Sequence, residues 1–101
     1  MNNSIYLYKD INEMNIIINE RNARIARLEK LIYSMNLIGG ASKNSFNYLA
    51  EKLLQQLEND ISSEKMKTII ESELVVAYGL YLNEFDSDKI TDDIMNWWKN
   101  D

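Results

Sequence analysis

Between Leu7 and Met35, apolar side chains recur at alternating steps of four and three residues. In heptad terms the a positions are Ile11, Ile18, Ile25 and Ile32, and the d positions are Leu7, Met14, Arg21, Leu28 and Met35. A seam of this kind belongs to a helix that packs along its length against another helix. Isoleucine at a with leucine or methionine at d suits a parallel pair of chains, and g-position Arg24 would then face e-position Glu29 of a second copy. Ile17 and Leu31 at g widen the stripe towards the broader face of a helix buried in its own bundle. The pattern therefore predicts a helix over about 10–38 whose seam meets either its own chain or a second one.

The helix boundaries follow from local signals. Asp10-Ile11-Asn12-Glu13 has the form of a capping box, which places the start near Asp10. Ser4 to Tyr8 reads as a helical extension or as a short extended arm rich in β-formers. Gly39-Gly40 supplies the left-handed backbone that stops the helix. A second helix, about 45–59, is capped among Ser42, Asn44 and Ser45 and carries Phe46, Leu49, Ala50, Leu53, Leu57 and Ile61 at three-four spacing. A third, about 63–85, is capped by Asp60, Ser62 or Ser63 and carries Met66, Ile69, Ile70, Leu74, Ala77, Tyr78, Tyr81 and Phe85. Asp86-Ser87-Asp88 caps a last helix, about 88–99, that carries Ile90, Ile94, Trp97 and Trp98, with Trp98 the more exposed of the two tryptophans. Residues 1–101 thus predict one all-α domain of four helices, the first long and bearing the heptads.

Composition narrows the chemistry. Proline is absent and glycine occurs three times in 101 residues, so long helices meet few breakers. There is no cysteine and no histidine, which removes thiolate chemistry, the commonest metal ligand and the commonest general base. No Walker spacing accompanies Gly39-Gly40. An EF-hand read from Asp86 fails, because its sixth position is Thr91 and its twelfth is Trp97. Glu71 with Glu73, and Asp92 with Asp93, sit at spacings that point apart on a helix. No catalytic residue, cofactor or metal site is expected, and the chain is read as no enzyme. With no stretch of about 18 apolar residues and no basic signal-peptide start at Met1-Asn2-Asn3-Ser4, it is placed in the cytoplasm, away from membranes.

Charge directs attention to partners. The net charge of -5 conceals a division: residues 1–56 hold seven basic and five acidic side chains, residues 57–101 four basic and eleven acidic. Glu84, Asp86, Asp88, Asp92 and Asp93, with Trp98, form the candidate surface for a basic protein partner, carboxylates standing where phosphates would lie. Arg21, Arg24, Arg27 and Lys30 form the alternative, a set of nucleic-acid contacts, although three-residue steps spread them over roughly half the helix circumference. An abundance of asparagine, isoleucine and lysine hints at an AT-rich coding sequence. The expectation is a non-enzymatic protein-binding regulator, such as a phage or mobile-element inhibitor or an immunity protein, that occludes a partner with its acidic half. A dimeric nucleic-acid-binding regulator is the second reading and a structural coiled-coil adaptor the third. In each, Ile11, Met14, Ile18, Arg21, Ile25, Leu28 and Ile32 are the candidate oligomer seam.

Overall fold

The computed structural model describes residues 2–100, with side chains from Ile16 onward except Lys43. The capping box at Asp10, the choice between helix and arm at Ser4–Tyr8, and the seam positions Leu7, Ile11 and Met14 lie outside the residues described in full. Among the described residues the chain is all-helical, with four α-helices: α1 (Asn2–Ser34), α2 (Asn47–Glu58), α3 (Ser63–Val76) and α4 (Ser87–Asn100). Short 3-10 turns at Lys43–Phe46 and Leu82–Glu84 lead into α2 and α4.

The C-terminal ends of α1 and α3 differ from those expected, and each has a backbone cause. α1 ends at Ser34 rather than near residue 38, because Asn36 takes the left-handed conformation (φ 54°) ahead of the glycine pair. Asparagine enters that region more readily than other residues that bear a Cβ. Gly40 (φ 77°) then turns the connection towards α2. α3 ends at Val76 rather than at 85, since Gly79 (φ 70°) reverses the chain and the Leu80 amide donates back to the Leu74 carbonyl at 3.0 Å. The expected stripe through Ala77, Tyr78, Tyr81 and Phe85 is consequently not helical. Tyr81 is 73% exposed instead of buried, whereas Tyr78 stacks on Phe46 at 5.6 Å and donates its hydroxyl to the Ser45 carbonyl at 2.9 Å.

Local sequence sets the remaining ends. The Ser62 hydroxyl accepts from the Lys65 amide at the start of α3, with Glu64 in the first turn, where the helix dipole favours negative charge. Asp86 accepts from the Lys89 amide at 3.1 Å at the start of α4. Asp60, left-handed at φ 58°, makes the sharp turn between α2 and α3.

α1 pairs with α2 and α3 with α4, and the second and third helices close the bundle. The core is Ile25, Leu28 and Ile32 from α1, Phe46, Leu49, Ala50, Leu53, Leu54 and Leu57 on and before α2, Met66, Ile70 and Leu74 from α3, and Ile90 and Ile94 from α4. Each such large side chain contributes about 1.5–3 kcal/mol relative to its exposed state. α2 runs antiparallel to α1, and its last residue, Glu58, reaches Arg21. Towards the N-terminus of that pair, α1 continues without α2 beside it.

Candidate protein-binding surface

The heptad seam divides at Arg21. On its C-terminal side Ile25, Leu28 and Ile32 are 5%, 0% and 1% exposed, and Met35 packs partly against the same core. These three therefore serve the chain's own bundle, and their burial leaves no face for a second copy there. On the N-terminal side Ile18, an a position of the same register, is 49% exposed and its g-position neighbour Ile17 is 62% exposed. Ile16 is likewise exposed, so three consecutive isoleucines, about 100° apart in turn, present apolar surface round most of the helix. Isolated exposed hydrophobes are ordinary, but a contiguous run is a mark of an interaction surface.

Arg21 itself stands at the boundary. Its Nε and Nη2 both donate to one oxygen of Glu58 at 3.3 Å, a half-exposed contact that fastens the end of α2 to α1. Ile17, Glu20, Arg21, Arg24 and Glu58 line a shallow recess just beyond this pair. Arg24 lies over the Trp98 ring, 5.4 Å from its centroid, and so ties the end of α4 to α1. Of the four candidate nucleic-acid contacts, Arg21 and Arg24 thus hold the bundle together. Arg27 is exposed and engaged within the chain, and Lys30 is exposed.

The acidic candidates also have local structural work. Asp86 caps α4, Asp88 pairs with Lys67 at 2.8 Å, Asp93 pairs with Lys89 at 3.3 Å, and Glu84 accepts from the Tyr81 amide at 3.4 Å. Asp92 is exposed. The lysines set among these carboxylates weaken the negative field that the sequence suggests. Trp98 is half-buried beside Trp97 and beneath Arg24, in a docking role within the chain.

Two further ion contacts organise the bundle. Lys52 reaches Glu73 at 2.8 Å and Tyr48 at 3.1 Å, and its hydrogen bond to Glu73 raises its pKa to about 12. Glu71 accepts from the Ser87 hydroxyl at 2.8 Å. Glu71 and Glu73 therefore serve separate contacts and do not converge on a common point. Burial of Tyr78 pushes its phenol above the usual tyrosine range.

Sequence reading missed a second apolar patch. Val75, Val76, Tyr81 and Leu82 are exposed around the end of α3, where Gly79 stops the helix and turns the following residues outward. A polar-rimmed groove of about 600 Å³ lies at the opposite end, between Gln56, Ile61, Lys65 and Ile69 at the α2–α3 turn. Among the described residues, no three His, Cys, Asp or Glu side chains gather to hold a metal ion, and no helix is long and apolar enough to cross a membrane. No protein family, curated protein or solved structure matches the chain.

Proposed function

We propose that the chain is a non-enzymatic protein-binding regulator that makes contact through the stretch of α1 lying beyond α2. The observation that carries this reading is the exposure of Ile16, Ile17 and Ile18 immediately past the point where Glu58 meets Arg21. An apolar helix surface is a poor place to bind a nucleic acid or a polar metabolite, and a good one to bind another helix. The heptad spacing of Ile18 with Met14 and Ile11 in the sequence specifies what fits, namely a helix with its own apolar stripe. Glu84, Asp86, Asp88, Asp92 and Asp93 act at longer range, steering basic partners rather than filling a groove.

A photo-cross-linking residue placed at Ile18 in the native host tests the reading. The expected product is a covalent adduct with a protein, lost when Ile17→Asp is added, while helicity and melting temperature stay unchanged. Absence of any protein adduct would remove the reading.

A further inference from the structure

We propose that the apolar patch at the end of α3, together with the acid-rimmed recess beside it, binds a segment of a partner protein in which an arginine lies close to apolar side chains. This surface goes beyond the α1 contact and is separate from it, since Ile18 and Met35 stand roughly 25 Å apart along α1. Val76, Tyr81 and Leu82 are 81%, 73% and 61% exposed. The 3-10 turn Leu82–Glu84 joins them to a recess of about 260 Å³ between the end of α1 and the start of α4. Met35, Leu37 and Phe85 give the recess apolar walls, and Glu84, Asp86 and Asp93 give it three carboxylates. The turn fixes patch to recess, for the Glu84 amide donates to the Tyr81 carbonyl at 2.9 Å and the Glu84 side chain accepts from the Tyr81 amide at 3.4 Å.

Charge identifies the occupant. No lysine or arginine occurs between Lys67 and Lys89, whereas that stretch carries Glu71, Glu73, Glu84, Asp86 and Asp88. Lys89 lines the recess but is largely exposed and pairs with Asp93 at 3.3 Å, so three carboxylates stand against one ammonium. The recess also lies at the C-terminal end of α1, whose last turn has no basic side chain to meet the negative end of the helix dipole. Such a surface repels a nucleic acid and draws a cationic segment. Geometry then selects a guanidinium over a metal ion. Among the described residues no three carboxylates gather closely enough to hold a metal, so those of the recess suit a wider cation. A guanidinium carries five N–H donors in a planar fork, and its aliphatic stem can lie along Met35, Leu37 and Phe85 while the neighbouring apolar side chains cover Tyr81 and Leu82.

The test titrates the isotope-labelled full chain, followed by NMR, with a capped amphipathic peptide carrying leucines and one arginine, and with copies in which lysine or glutamate replaces the arginine. The arginine peptide should shift the amides of residues 35–37 and 81–93 saturably. The lysine copy should bind more weakly, and the glutamate copy at least about tenfold more weakly. Glu84→Gln with Asp93→Asn keeps acceptors for the Tyr81 amide and for Lys89 but removes two charges. That pair should raise the dissociation constant at least about tenfold, and Leu82→Ser at least about threefold, with the melting temperature unchanged. Equal binding of the glutamate copy, shifts spread over every exposed carboxylate, or indifference to the paired substitution overturns the proposal. Saturable shifts confined to residues 16–21 overturn this surface and leave the reading of α1 standing. Binding here by a chain that yields no protein adduct at Ile18 overturns the reading of α1 alone.

Discussion

The two sides of Arg21 carry the same heptad pattern and meet different fates. Ile25, Leu28 and Ile32 are buried in the core of the chain's own bundle, while Ile16, Ile17 and Ile18 are exposed. Nothing in the side chains separates Ile18 from Ile25. What separates them is the length of α2, which begins at Asn47 and has turned away by Asp60. A seam is therefore a demand for cover, and the cover is set by the neighbouring helix. Stability resides on one side of Arg21, and the proposed function assigns recognition to the other.

The largest effect should come from deleting core volume on the covered side. Leu28→Ala should cost about 2–5 kcal/mol and lower the melting temperature by about 10 °C or more. Ile18→Ala, measured in dilute solution by circular dichroism, should cost less than about 0.5 kcal/mol. Equal losses at both positions would break the comparison. Gly79→Ala comes next, because the left-handed backbone at φ 70° costs a residue with a Cβ about 1–2 kcal/mol and this turn brings α4 back onto the bundle. Urea unfolding should show that loss with no change in association through α1.

Alkaline pH should destabilise the covered side. Folded Lys52 holds its proton up to about pH 12 and Tyr78 above its usual range, while both titrate lower in the unfolded chain. A raised folded pKa contributes stability that is full below the unfolded value and is lost as pH rises through the folded one. Melting temperature should therefore fall between about pH 10 and pH 12, and the fall should be shallower in Lys52→Met and in Tyr78→Phe. The smallest effect is at the boundary itself. Arg21→Leu removes a half-exposed ion pair worth at most about 1 kcal/mol, so the melting temperature should change little, and the apolar seam should become continuous. Stronger partner cross-linking at Ile18 in Arg21→Leu would sharpen the view of Arg21 as the divide.

Much of the helical layout was legible because capping and three-four spacing are local. Ser62 and Asp86 announce α3 and α4, and Leu49, Leu53 and Leu57 mark the buried face of α2. The misplaced ends share one cause, a residue able to enter the left-handed region ahead of the obvious breaker. Asn36 does so before Gly39-Gly40, and the single Gly79 stops α3 although apolar residues continue beyond it at helical spacing. The division of the seam was not legible, because it depends on where another element ends in space. The same holds for Trp98, whose role follows from Arg24 reaching across from α1, and for the acidic run, whose lysine neighbours come partly from α3.

Amide hydrogen exchange along α1 tests the division most directly. In dilute solution the amides of residues 25–32 should be protected near the global unfolding limit and those of residues 16–20 should exchange through local opening. Equal protection on both sides of Arg21 would contradict the account.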